Sequence, residues 1–240
     1  MKKEEFSKAL LENAKEIEIE LNEEQIDKFY KYMNLLLEWN QKMNLTAITD
    51  PEGIILKHFI DSLTIASKKK KDATLVDMGT GAGFPGIPVK IYRNDIKITL
   101  VDSLNKRINF LNEVIKELNL EKIETIHSRA EEFGKNSKYR ESFDIATSRA
   151  VANLSTLSEY LLPLVKEKGI CICMKGGEVE EELNNAKKAI RILGGKVKKI
   201  DKFELPKSSI KRSIVLLEKV EKTPAKYPRK PGTPAKEPIS

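Results

Sequence analysis

Apolar residues recur at three- and four-residue steps early in the chain. Ile26, Phe29, Tyr30, Met33, Leu36 and Leu37 fall on one side of a helix of period 3.6. Asn22 precedes that run, with Glu23 and Glu24 behind it, so a capping side chain is followed by carboxylates at the positive end of the helix dipole. Asp50-Pro51-Glu52 repeats the start signal, with Asp as cap and Pro at the first helical position. Residues 1–70 therefore read as helical. Lys68-Lys69-Lys70-Lys71 closes the last of these helices with cations at its negative end and marks a boundary.

From residue 74 the pattern alternates between short apolar runs and amphipathic stretches. Thr74–Met78, Ile96–Val101, Ile123–His127, Phe143–Thr147 and Gly169–Met174 read as strands. Helices are expected at Lys106–Leu118, Asn153–Val165 and Glu178–Leu193. Two late strands, Lys196–Phe203 and Arg212–Val220, lie close enough in sequence to pair antiparallel. Alternating β and α implies a parallel sheet covered by helices on both faces. No internal repeat is present. Thr223 to Ser240 holds five of the ten prolines, which resist regular structure, so this tail reads either as disordered or, through Lys226, Arg229 and Lys230, as a nucleic-acid-contacting arm.

Charge sharpens the division. The net charge of +7 is confined to one end: residues 196–240 carry 13 Lys or Arg against 5 Asp or Glu, while the rest is nearly neutral. A one-sided basic region is the footprint of a phosphate-backbone binder, although a solvated surface has the same composition. No apolar run approaches the roughly 18 residues that span a bilayer. MKKEEFSKAL mixes charged and apolar residues, unlike a signal peptide, so a cytoplasmic protein without membrane contact is expected. The two cysteines, Cys171 and Cys173, share one face of a strand, and only two histidines exist, so no metal site is expected.

The most informative run is Val76-Asp77-Met78-Gly79-Thr80-Gly81-Ala82-Gly83-Phe84-Pro85-Gly86, between a strand and a helix. Glycines serve where the chain turns tightly and where backbone approaches a ligand. Read from Gly81 the run is G-x-G-x-x-G, which by itself suggests a dinucleotide. Read from Asp77 it is D-x-G-x-G-x-G, the pattern of S-adenosylmethionine (SAM) enzymes. Charge separates the two. A pyrophosphate wants amides and a helix dipole, whereas SAM carries a sulfonium and an ammonium, which an acid two places before the first glycine suits. Asp102, 23 residues beyond Gly79 at the end of the second strand, is placed to accept from ribose hydroxyls. SAM is the expected cofactor, with S-adenosylhomocysteine as product.

The target is narrowed by what the strand ends lack. The fourth strand ends in Ala146-Thr147-Ser148-Arg149-Ala150, not in the [DNS]-P-P-[YFW] that accepts bonds from an exocyclic amine. Methylation of a pyrimidine carbon needs a cysteine nucleophile, but both cysteines sit inside a strand-like run and read as core. A ring nitrogen such as guanine N7 carries an exposed lone pair and loses no proton, so alignment suffices.

Taken together, the chain resembles the bacterial RsmG (GidB) family of 16S ribosomal RNA guanine-N7 methyltransferases. The likeness is carried by Asn44-Leu45-Thr46-Ala47-Ile48, His58-Phe59-Ile60-Asp61-Ser62-Leu63, Asp77–Ile87, Val101-Asp102-Ser103 with Lys106-Arg107, Ser148-Arg149-Ala150-Val151, Lys175-Gly176-Gly177 and Tyr227-Pro228-Arg229-Lys230-Pro231-Gly232. It implies an α/β, Rossmann-like methyltransferase fold, a mostly parallel seven-stranded sheet with an antiparallel last strand and an N-terminal helical appendage. The divisions are 1–71 helical, 72–221 SAM-binding, and 222–240 a Pro-rich basic tail. It implies that Gly79, Gly81, Gly83 and Phe84 line the cofactor site, that Asp102 holds the ribose, that Ala130 and Glu131 meet the adenine, and that Arg149 lies near cofactor and incoming base. Arg229, Lys230 and Arg212 are the RNA-binding candidates. The implied partner is 16S rRNA within the small subunit, and a monomer is the default.

Several of these residues also have plainer readings. Glu131 and Arg149 suit structural ion pairs, and Phe84 and Trp39 suit the core. His58 and Asp61, three apart, suit a capping or ion-pair contact better than catalysis, and His127 ends a strand. Two other functions share the motifs: a SAM-dependent enzyme for another RNA base or a ribosomal protein, and a non-catalytic RNA-binding assembly factor.

Overall fold

The computed structural model describes residues 1–66, 71–149 and 151–239; Lys68, Lys69 and Lys70 of the expected boundary, and Ala150, lie outside them. Helices α1 (Lys3–Glu16) and α2 (Glu23–Met43) open the chain. Asn22 caps α2 by accepting from the Gln25 amide, and the Gln25 side chain returns the bond, a capping box. A short α3 (Pro51–Gly53), capped by Asp50, runs into a π-helical segment (Ile54–Ile60) and then α4 (Asp61–Leu63). The wider π turn was not expected; π turns concentrate at functional sites, and this one carries His58 on its last turn and delivers Asp61.

Beyond it the elements alternate: β1 (Thr74–Met78), α5 (Gly86–Tyr92), β2 (Lys97–Asp102), α6 (Asn105–Glu117), β3 (Ile123–His127), α7 (Ala130–Lys135), β4 (Phe143–Arg149), α8 (Leu154–Leu161), β5 (Val165–Lys175), α9 (Glu180–Ile192), β6 (Gly195–Glu204) and β7 (Lys211–Lys219). The sheet has seven strands in the order β3-β2-β1-β4-β5-β7-β6. Strands β1 to β5 pair parallel, and β7 runs antiparallel to both β5 and β6, as the resemblance implied.

Strand alternation divides the core. Leu75, Ile98, Leu100, Ile145, Ile172 and Ile214 face one side, where α1, α2, the π turn, α5 and α6 pack. Val76, Met78, Val101, Ala146, Val215 and Leu217 face the other, against α7, α8 and α9. The N-terminal helices thus close the same core as the sheet; Trp39 of α2, for example, lies 5.6 Å from Phe110 of α6. Cys171 and Cys173 are fully buried on the second face, where burial pushes the Cys173 thiol up to about 12, so neither is a nucleophile. Among the described residues no helix is long and apolar enough to cross a membrane.

The tail is ordered rather than disordered. It folds back across α7 and α8 and forms α10 (Thr233–Lys236). Arg140 donates to the Thr223 and Tyr227 carbonyls, at 2.7 Å each, and Thr156 donates to the Pro234 carbonyl. Prolines deprive the segment of a ladder, but side chains of the body satisfy its carbonyls instead.

Candidate active site

The strand order reverses between β1 and β4, which opens a crevice beyond their carboxyl ends. The glycine turn lies there. Gly79, Gly81 and Gly83 all adopt positive φ, but they do different work. A side chain at Gly81 (φ +62°) would meet nothing within 4 Å, so its bare main chain faces an open cavity. A side chain at Gly83 would strike Ile87 and the Tyr32 hydroxyl. Gly83 is therefore needed for packing, and the linings of the cavities over this turn do not include it. Tyr32 from α2 also donates to the Ala82 carbonyl, so the N-terminal helices brace the loop.

Two adjoining cavities meet over this turn. One, of about 300 Å³, is lined by Met78, Gly79, Asp102, Ala130, Glu131 and Tyr160, among others. The second, of about 420 Å³, adds Gly81, Phe84, His58, Thr46 and Arg149. Gly79, Asp102, Ser103 and Val151 belong to both. The crevice thus gathers Gly79, Gly81, Phe84, Asp102, Ala130, Glu131 and Arg149, as expected, but not Gly83.

The electrostatics are anionic at the floor. Asp77 is fully buried; its Oδ2 accepts from the Thr80 hydroxyl and the Gly86 amide, while Oδ1 has no partner. Burial raises its pKa to about 6. A buried carboxylate oxygen without a donor is costly; Asp77 lies beneath the glycine turn and lines neither cavity, so it acts on the site as a nearby negative charge. Asp102, 2% exposed, accepts from the Gly81 and Leu104 amides at 2.9 and 3.0 Å and from Arg107 at 3.2 Å. Glu131 is also buried, and its Oε1 accepts from the Gly232 amide at 2.8 Å.

Arg149 forms the far wall. It donates to the Lys57 carbonyl (2.9 Å), to Asp61 Oδ2 (3.1 Å) and to His58 Nδ1 (3.0 Å), and its guanidinium lies 5.0 Å from the Phe84 ring centre. Arg212 of β7 reaches the other Asp61 oxygen at 3.2 Å. A guanidinium only donates, so His58 Nδ1 must accept, and the ring proton sits on Nε2, facing the Thr46 hydroxyl at 2.8 Å. Burial first, then Arg149, pulls the His58 pKa down to about 3. With both nitrogens engaged and its ring stacked 4.3 Å from Phe84, His58 is a fixed neutral spacer. The side chains of His58 and Asp61 both meet Arg149, and the Asp61 amide also donates to the His58 carbonyl at the end of the π turn, the capping contact that their spacing suggested. His127 is exposed, with Nε2 3.0 Å from the Ser103 carbonyl.

The RNA-binding candidates fare unevenly. Lys230 is exposed. Arg212 is tied to Asp61. Arg229 is engaged by the body of the protein: its backbone amide, Nε and Nη2 all bond Glu159, whose side chain has no exposure, while the guanidinium itself stays about a quarter exposed. Part of the basic surplus is paired with acids elsewhere in the chain, Lys202 with Glu178 and Glu180 and Lys207 with Glu12. The sequence reading missed Tyr160, Gly232 and Ala235 as cavity residues. Their one available signal was the Tyr227–Gly232 motif, which is too patterned for a plain linker. Among the described residues no group of His, Cys, Asp or Glu is arranged to hold a metal.

A pocket of carboxylates and bare main chain at a sheet's switch point receives a cationic nucleoside, not a diphosphate. With the seventh strand reversed, it defines the class of S-adenosylmethionine-dependent methyltransferases. Solved structures share the fold. A SAM-dependent methyltransferase from Aquifex aeolicus aligns with TM-score 0.54 at 17% identity over 73% of this chain and 97% of that one. TYW2 from M. jannaschii in complex with AdoMet aligns with TM-score 0.53 at 14% identity over 67% and 75%. The family described as rRNA small subunit methyltransferase G (GidB) matches residues 25–215, and the chain belongs to that family. Relatives bearing the name ribosomal RNA small subunit methyltransferase G include one from Acetivibrio thermocellus, 55% identical over 97% of this chain and 96% of its own. Another, from Oceanobacillus iheyensis, is 52% identical over the full length of both.

Proposed function

We propose that this enzyme transfers the methyl group of SAM to N7 of one guanine in the decoding-region hairpin of 16S rRNA, in the cytoplasm. The observation that carries the choice of a ring nitrogen is the locked state of His58. It is the imidazole of the acceptor-side cavity, yet one nitrogen serves Arg149 and the other Thr46, so it takes no proton from a substrate. Guanine N7 asks for none.

The ligand fits the residues present. Asp77 supplies a buried negative charge beneath the glycine turn, Gly81 gives close main-chain approach, and Asp102 keeps acceptor capacity for a ribose diol once Arg107 turns away. Bound there, SAM supplies an electrophilic methyl on a sulfonium. The chain's own work is positional. Arg149, held by Asp61 and His58, presents a rigid cation over Phe84 at the mouth, where it can donate to an acceptor edge of the incoming base. A rigid donor loses little freedom when the base arrives, which is the source of rate in an alignment mechanism. Lys230 and Arg212 are carried forward as RNA contacts; Arg229 is not.

The test is borohydride–aniline cleavage of rRNA, which cuts at N7-methylguanine. Small-subunit rRNA from a deletion strain should lose one cleavage that the restored gene returns. An unchanged pattern would refute N7 as the target.

A further inference from the structure

Arg229 is bound to Glu159, and the course of the tail past it suggests a role at the cavity. Gly232 and Ala235 line the 300 Å³ cavity together with Asp102, Ser128, Ala130 and Glu131. We propose that the segment Arg229–Ala235 is a cofactor-binding element: it walls the adenosine end of the cavity, and its Gly232 amide sets the Glu131 carboxylate that receives the adenine. The proposal rests on the reading that places adenosine between Asp102 and Glu131.

Three observations carry it. The segment is anchored on both sides of the cavity wall. Arg229 grips Glu159 on α8 at 2.8–3.0 Å, and the Pro234 carbonyl accepts from Thr156 on the same helix at 2.8 Å. It also packs on α7, where a side chain at Gly134 would meet Pro228 at 3.0 Å. Next, the Gly232 amide donates to Glu131 Oε1 at 2.8 Å, a charge-assisted bond that fixes the carboxylate's rotamer. Oε2 is left as an acceptor, and the exocyclic amine of adenine is a donor. Gly232 itself sits at φ +83°, a backbone shape in which other residues are strained, so the amide's direction depends on glycine. Last, Ala235 is exposed, so its side chain borders the cavity without supporting the core.

Hydrogen exchange on the full chain, with and without S-adenosylhomocysteine, tests this directly. The ligand should slow exchange at residues 229–236 together with 102–104 and 128–131. Protection at 102–104 and 128–131 without protection at 229–236 would overturn the proposal and leave the pocket assignment standing. Absence of protection at 102–104 and 128–131 would overturn the pocket assignment itself. Ala235→Trp gives a second measurement. Its Kd for S-adenosylhomocysteine by titration calorimetry should rise at least tenfold, with the unliganded melting temperature unchanged and rRNA affinity within twofold. A lost rRNA affinity with an unchanged Kd would make the tail an RNA arm and refute the inference.

Discussion

Arg229→Ala removes the Nε and Nη2 donors from a carboxylate that has no solvent to turn to. Glu159 keeps the Arg229 backbone amide on Oε1 at 2.7 Å, but Oε2 loses its 2.8 Å partner and the charge loses its counter-ion. Breaking a buried pair by deleting one member costs about 3–5 kcal/mol. The guanidinium is about a quarter exposed, 26%, which places this pair at the lower end of that range. For a domain of this size, about 3 kcal/mol corresponds to a melting temperature lowered by roughly 6–12 °C. Thermal unfolding followed by circular dichroism measures it. The double variant Arg229→Ala, Glu159→Gln should recover at least half of the loss, because the amide still accepts from the backbone and carries no charge. An RNA-contacting arginine on a solvated tail would behave otherwise, with a loss within about 0.5 kcal/mol. A drop below 2 °C, or a double variant no better than the single one, refutes the buried-pair reasoning.

Other outcomes follow from the same geometry. His58, with its folded pKa of about 3 below the unfolded value near 6.5, contributes stability that is complete above pH 6.5 and lost as pH falls toward 3; the loss at pH 5 is about 2 kcal/mol. Because other groups titrate in the same interval, the test is the difference between the two proteins: from pH 5 to 7.5 the wild type should gain about 2 kcal/mol on His58→Gln by urea denaturation, and equal pH dependence in the two would contradict it. Asp77 has the opposite sign, because its folded pKa of about 6 lies above the unfolded value and its contribution is lost as pH rises from about 4 to 6. Asp77→Asn should therefore gain about 2–3 kcal/mol on the wild type across that interval, while binding SAM at least tenfold more weakly by calorimetry; unaltered affinity would remove Asp77 from the site. Gly81→Val places a branched side chain in open cavity at φ +62°, at a backbone cost of about 1–2 kcal/mol, and should abolish SAM binding while the protein still folds cooperatively. Retained binding in a folded variant would show that the main chain there does not meet the ligand.

Much of the fold was legible along the chain because strand and helix periods are local properties. The expected strand Thr74–Met78 matches β1 residue for residue, and Asn22 and Asp50 both cap helices as read. The antiparallel last strand was implied by resemblance and is present. The floor of the site was legible for a related reason. Asp77, Gly81 and Asp102 come from adjacent parallel strands and the turn between them, so their spacing in sequence is nearly their spacing in space. The glycines were less separable, since sequence shows where a side chain is missing but not what it would have struck. Gly81 faces the cavity and Gly83 faces Tyr32, a residue fifty positions away.

Composition described the tail accurately and still misled about its order, since the segment is docked on the body. Prolines and cations made it look solvated because neither has a local partner; the partners are Arg140, Thr156 and Glu159, far away in the chain. The sequence by itself determined the order of the elements and a glycine turn flanked by Asp77 and Asp102, which depend on short-range pattern and residue chemistry. Only the tertiary structure decided that Arg229 is the counter-ion of a buried Glu159, that His58 holds Arg149, and that the last residues border the cavity. Each is a contact across some 70 to 100 positions, whose worth depends on burial, and burial is a property of the whole fold.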